Sequence, residues 1–179
     1  MDEIEEHLSV IAKLDRSQIR DFANLLITTL KNGNRIFICG NGGSAADSQH
    51  FAAELSGRFK KERLGLKAIA LTTDTSALTA IGNDFGYEFV FSRQLEANGN
   101  KGDAVVLITT SGNSLNLVNA AKKAKEMGIS SLAFLGRGGG KLKSLCNYSI
   151  VVPSENTPRI QEAHELMMHM ISQMIDDAF

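Results

Sequence analysis

Five short apolar runs constrain this chain more than any other feature: "RIFIC" at 35–39, "KAIAL" at 67–71, "AVVLITT" at 104–110, "SLAFLG" at 131–136 and "NYSIVV" at 147–152. Several have no polar alternation, so as strands they need cover on both faces, which is the situation in a parallel sheet. Helical patterns fill most of the gaps, at 44–57, at 75–98 with a break near Gly82–Gly86, and at 114–127. The fourth connection, "RGGGKLKSLC", is short. Strand alternating with helix predicts an α/β fold, a five-stranded parallel sheet with right-handed crossovers and helices on both sides.

Helices are also expected at both ends of the chain. The first 33 residues read as helical, and Asp15 with Gln18 resembles a capping box before "IRDFANLLITTL", where Ile19, Phe22, Ala23, Leu26 and Leu30 share a face. Residues 157–178 form the last helix, with Thr157 suited to the N-cap and Pro158 to the first helical position. Its apolar set, Ile160, Leu166, Met167, Met170, Ile171, Met174 and Ile175, is broad enough to require burial in the chain's own core or in a subunit interface. With 179 residues, 43% of them hydrophobic, and no linker or repeat, the expectation is one domain over 1–179. Residues 1–33 would be a helical extension packing in an oligomer.

A formal net charge of −1 argues against a dedicated nucleic-acid binder, which shows a basic excess. The basic run "RFKKERLGLK" at 58–67 reads as a solvated helix end and loop before it reads as a polyanion site. Cys39 and Cys146 lie in apolar runs without a CxxC, as buried free thiols do in a reducing compartment. No stretch has the make-up of a signal peptide or a membrane span, so the expectation is a soluble, cytoplasmic protein with no membrane or nucleic-acid partner.

Ligands of open parallel sheets bind beyond the carboxyl ends of the strands. Two polar loops fall there. "GNGGS" at 40–44 joins the first strand to its helix, and its glycines and the free N–H groups of the helix start suit an anion. It is neither a dinucleotide fingerprint nor a Walker loop, and alone it reads equally well as a structural turn. "TTSGNS" at 109–114 gathers the hydroxyls of Thr109, Thr110, Ser111 and Ser114 around Gly112 at another helix start. Such a loop can surround a phosphate without Lys or Arg, and Ser114 as a plain N-cap is the alternative. Two such loops at one sheet edge favour a phosphorylated small molecule.

Metal-ligand types are also present. His50 and Glu54, at i and i+4, project from one helix face, though in isolation the pair reads as a surface hydrogen bond before it reads as a metal site. The last helix offers Gln161, Glu162, His164, Glu165 and His169, and helical spacing alone favours Glu165 with His169. Gln161 and His169 are two turns apart, roughly 12 Å along the axis, so spacing does not select the ligands.

Together, "CGNGGSAADSQHFAAELSGRF", "AIGNDFGYEFVFSRQLEA", "TTSGNS" and "RIQEAHELMMH" resemble the sedoheptulose 7-phosphate isomerase (phosphoheptose isomerase) family of the sugar isomerase (SIS) domain superfamily, across nearly the whole chain and in the same order. The resemblance implies a three-layer αβα sandwich with a flavodoxin-like strand order. It implies one Zn²⁺ per subunit, held by His50, Glu54, Gln161 and His169, and so takes His169 without Glu165. It implies substrate contacts at Asn41, Gly42, Gly43, Ser44, Glu54, Asn83, Asp84, Thr109, Thr110, Ser111, Ser114 and Gln161. Thr109 stands where relatives often carry Ser, and it keeps the hydroxyl. A homotetramer with sites at subunit interfaces is implied as well.

The implied reaction is conversion of D-sedoheptulose 7-phosphate to D-glycero-D-manno-heptose 7-phosphate through an enediol, the first step toward nucleotide-activated heptose, with Glu54 as base and His169 as acid. Relatives of this fold also act as non-catalytic tetrameric scaffolds on the bacterial replication initiator, and that is the alternative reading. A scaffold is expected to lose the acid/base pair, whereas Glu54 and His169 are both present. His164 is expected to be a satisfied structural histidine.

Overall fold

The computed structural model describes residues 2–179. β1 (Ile36–Gly40), β2 (Ala68–Ala70), β3 (Ala104–Ile108), β4 (Ser130–Leu135) and β5 (Tyr148–Val151) form one all-parallel sheet in the order β2-β1-β3-β4-β5. The register is continuous, with Ile38 opposite Ala70 on one side and Val106 on the other. β3 stops at Ile108, short of the expected 110, because Thr109 and Thr110 leave the ladder to begin the hydroxyl loop.

The helices are α1 (Glu3–Ala12), α2 (Arg16–Lys31), α3 (Gly43–Ser56), α4 (Thr75–Phe85), α5 (Val90–Asn98), α6 (Leu115–Met127), α7 (Leu142–Leu145) and α8 (Thr157–Ala178). Successive strand side chains point to opposite faces, so each apolar strand feeds two cores. Ile36, Ile38, Val106, Ile108, Leu132 and Phe134 face α2, α3 and α8. Phe37, Cys39, Val105, Leu107, Ala133 and Leu135 face α5, α6 and α7. Phe22 of α2 stacks on Phe134 with ring centroids 4.6 Å apart. None of the described helices is long and apolar enough to cross a membrane.

Local signals were displaced at three ends. Asp15 caps α2 by accepting from the N–H groups of Ser17 and Gln18, but the reciprocal capping box lies at Asp2 and Glu5 of α1. The 75–98 segment breaks at Gly86, whose φ of 101° ends α4, while Gly82 stays helical. Asn156, not Thr157, takes the N-cap of α8; the Thr157 hydroxyl instead accepts from Arg137 Nη2 at 2.7 Å. His164 is fully buried and only half satisfied: Nε2 lies 3.2 Å from the Leu135 carbonyl, and Nδ1 has no partner.

The strand order reverses between β1 and β3. β1 leads to β2 on one side and β3 to β4 on the other, so the loops after them diverge and open a crevice. α3 and α8 pack side by side on one face of the sheet. Their far ends are joined by a buried ion pair, in which Arg63 Nε donates to Asp176 Oδ1 at 2.7 Å. The Asp176 carboxylate also accepts from the N–H groups of Lys60 and Lys61 at 2.8 and 2.9 Å. Burial pushes its pKa up, but these donors outweigh it and hold the carboxyl below its ordinary value.

Removing one member of a buried pair strands the other charge, so Asp176→Ala is expected to cost about 3–5 kcal/mol in urea unfolding. Burial pushes the His164 pKa from 6.5 down to about 4, so between those values the unfolded chain binds the extra proton. The stability tied to His164 is complete above pH 6.5 and is lost as pH falls toward 4, about 2 kcal/mol of it between pH 7.5 and 5. Unfolding curves at these two pH values should therefore diverge less for His164→Gln than for the parent, and an equal divergence contradicts the assignment.

Candidate functional site

Both polar loops meet at the crevice. Gly42 has φ 59° and ψ −123°, a backbone that only glycine adopts without strain, and it turns the chain from β1 into α3. Gly43 faces the Gln161 amide of α8 so closely that a methyl group in place of its hydrogen would displace it. Across the crevice, Thr109 Oγ1 lies 3.4 Å from both Ser111 Oγ and Ser114 Oγ. Ser114 makes no side-chain cap bond to α6, so its hydroxyl remains with the loop. Asn41, Ser44, Ile108, Thr109, Thr110, Ser111, Ser114 and Gln161 line a cavity of about 170 Å³. That is smaller than the roughly 300–1,000 Å³ of a site enclosing a whole drug-sized ligand. It suits one polar end of a molecule, and no Lys or Arg lines it.

The Asn41 side chain is already engaged. It exchanges two amide hydrogen bonds with Asn116 of α6, at 3.0 and 2.8 Å, and its Oδ1 accepts from Tyr87 Oη at 3.1 Å. Asn41 therefore ties the two loops together across the crevice. Neither Asn116 nor Tyr87 was found in the sequence, since each belongs to a different element and no local spacing links it to Asn41. Asn83 and Asp84 lie exposed at the end of α4, bonded to each other at 2.8 Å, and do not line the cavity.

Beyond the cavity, His50, Glu54 and His169 converge, with one donor atom from each lying within 4.8 Å of the others. His50 Nε2 is 3.0 Å from Glu54 Oε1 and 3.4 Å from His169 Nε2. Metal bonds of about 2.0–2.1 Å at tetrahedral angles separate donors by roughly 3.4 Å, so the trio fits a small divalent ion. Two imidazoles and a carboxylate suit zinc and several first-row metals. Gln161, the fourth expected ligand, keeps its amide against Gly43 at the cavity.

The other carboxylate that spacing favoured, Glu165, lies on the opposite side of His50, with Oε1 3.6 Å from Nδ1. Asp47, one turn before His50, has a buried Oδ2 without a partner. Burial pushes its pKa up to about 6, Glu165 adds to the rise, and His50 opposes it. Its i−3 spacing to His50 is the sequence signal that marks it. The thiols play no part here: burial raises Cys39 far above its ordinary pKa and Cys146 to about 11.

Gly112, with φ 66°, packs directly on the Gly139 carbonyl, and its own carbonyl accepts from the Leu142 N–H at 3.1 Å. An added methyl meets rigid backbone there, while at Gly43 it meets a side chain that can move. Gly112→Ala should therefore lower stability, by roughly 1–3 kcal/mol, and weaken anion binding at the cavity. Gly43→Ala should leave stability nearly intact and affect binding, and calorimetry with paired melting curves separates the two.

Comparison with known proteins adds a separate line of evidence. The SIS domain family matches residues 1–136. The chain is 55% identical over 179 residues to phosphoheptose isomerase 1 of Campylobacter jejuni, covering 99% of this chain and 96% of that one. Phosphoheptose isomerase GmhA from Neisseria gonorrhoeae superposes with a TM-score of 0.92 at 44% identity, covering 97% and 95% of the two chains. A phosphoheptose isomerase from Francisella tularensis does so with a TM-score of 0.94 at 36% identity, covering 97% and 94%.

Proposed function

The chain belongs to the phosphoheptose isomerases of the SIS domain family, and from that premise we propose that it converts D-sedoheptulose 7-phosphate to D-glycero-D-manno-heptose 7-phosphate. The observation that carries the reading is the pairing of the hydroxyl-lined cavity with the His50–Glu54–His169 trio along the same two helices. Gln161 and His169 are eight residues apart on α8, about 12 Å along its axis. An open-chain seven-carbon sugar phosphate has a length of the same scale, so its phosphate can occupy the cavity while C1 and C2 reach the trio. The starts of α3 and α6 and the hydroxyls of Thr109, Ser111 and Ser114 would hold the phosphate in place of basic side chains.

A divalent ion such as Zn²⁺, held by His50, Glu54 and His169, would supply Lewis-acid polarisation of the substrate oxygens, while Gln161 stays at the cavity end. Glu54 takes a proton from C1 while His169 delivers one to the C2 oxygen, which gives the enediol. Return of a proton to C2 and loss of the proton on the C1 oxygen complete the aldose. A carboxylate bound tightly to a cation is a weak base and an imidazole nitrogen bound to one has no proton to give, so Glu54 and His169 would act on substrate only with those atoms free of the ion.

We further infer a cytoplasmic homotetramer that supplies heptose for nucleotide activation. Supporting the assembly, Ile4, Leu8 and Leu25 are exposed on α1 and α2, and Phe85, Tyr87, Phe89 and Leu115 are exposed near the crevice. Asn83 and Asp84 would contact substrate across such an interface.

Purified protein incubated with sedoheptulose 7-phosphate is expected to form the aldose, with the rate falling on chelation and returning with Zn²⁺. Glu54→Gln and His169→Gln should each lose at least about 10²–10⁴-fold in kcat, the usual worth of a general acid or base, while phosphosugar binding stays measurable. Absence of conversion under every metal condition, or near-normal kcat in both variants, contradicts the proposal.

A further inference from the structure

Residues 57–66, between α3 and β2, have no regular structure, yet they set one ring in a defined place. Phe59 stacks on the His169 imidazole, with centroids 5.6 Å apart and planes 20° from parallel. The same imidazole meets His50 edge-on, at 5.0 Å and 76°. Covalent geometry does not set the plane of a histidine ring, because its χ2 well is broad and roughly two-fold. A flat neighbour does set it.

Phe59 is itself held from α8. The N–H groups of the next two residues, Lys60 and Lys61, donate to Asp176, as does Arg63 Nε. Asp176 lies seven residues, about two turns, after His169 and therefore on nearly the same helix face. Arg63 uses its remaining donors on the carbonyls of Glu54, Leu55 and Leu64, at 2.9, 2.9 and 3.1 Å. One buried ion pair thus anchors the backbone at Glu54, the segment carrying Phe59 and the helix carrying His169.

We propose that Phe59 is a positioning residue for His169. Its ring face, held in place through Asp176 and Arg63, keeps His169 Nε2 turned toward His50 Nε2, where the trio converges. The inference rests on the role given to His169 above. It adds a requirement for an aromatic face that neither the trio nor the cavity supplies.

Phe59→Leu keeps comparable bulk and removes the flat face, and Phe59→Tyr restores it. With sedoheptulose 7-phosphate, Phe59→Leu is expected to lose about tenfold or more in kcat, since small misplacements of reacting groups are costly. KM should stay within about twofold, because the cavity end of the site is untouched. Phe59→Tyr should recover most of the loss.

A second readout does not depend on turnover. In the metal-free protein, the nuclear Overhauser contact between the His169 and His50 ring protons should weaken on Phe59→Leu and return on Phe59→Tyr, with the His164 resonances in place. An unchanged His50–His169 contact, or an unchanged kcat in Phe59→Leu, overturns the inference. A parent protein without turnover overturns the function proposed above, and the His50–His169 contact still decides whether Phe59 positions the ring.

Discussion

The candidate site depends on the alignment of α3 against α8. Each helix starts at the carboxyl edge of the sheet, α3 after β1 and α8 after β5, and the two run side by side over one face. A slip of one residue would move a side chain 1.5 Å along the axis and 100° around it, enough to break a 3.4 Å contact between His50 and His169. One pin opposes that slip: Arg63 joins the last carbonyls of α3 to Asp176 near the end of α8. At the other end the Gln161 amide lies against Gly43, a movable side chain that lets the helices approach without fixing them. The trio lies between these ends, so its geometry follows from helix register more than from any bond within it.

The crevice side obeys a different rule. If the cavity holds the phosphate as proposed, the favourable field must come from helix starts and oriented hydroxyls, since no Lys or Arg lines it, and that effect falls off within a turn. Their placement then matters more than a long flexible cation's would. The local bonding is accordingly concentrated on the loops themselves. Asn41 and Asn116 clasp each other across the strand-order reversal, Tyr87 closes the clasp, and Gly112 sits flat against the Gly139 turn. The unusual backbone at Gly42 and Gly112 is what brings these loops close enough to line one cavity.

The sheet was legible because several strands are apolar on both faces, as where Phe37 and Cys39 alternate with Ile36 and Ile38 and fill the second core. The two loops were legible as polar interruptions after apolar runs. Pairings between elements were not. Nothing near Asn41 announces Asn116, and nothing in "RFKKERLGLK" announces that Arg63 and the N–H groups of Lys60 and Lys61 fold back on a buried Asp176, so the run that read as a solvated loop is in part an internal staple. Helix ends shifted by a residue for a similar reason: the Thr157 hydroxyl is taken by Arg137, twenty residues earlier, and the N-cap position falls to Asn156, whose amide donates to Glu6.

The choice between Glu54 and Glu165 shows the same limit in the chemistry. On α8 alone, Glu165 and His169 form the better-spaced pair. Packing on α3 alters that by giving His50 two neighbours on opposite sides. Its Nε2 turns toward Glu54 and His169, while its Nδ1 turns toward Glu165. The two carboxylates therefore face different nitrogens of one ring, and only one of them shares a point with His169. At 3.6 Å the Glu165 carboxylate is beyond hydrogen-bond reach of Nδ1, so it faces His50 as a neighbouring charge and not as a bonded partner. Helical spacing within α8 had no means of expressing that arrangement.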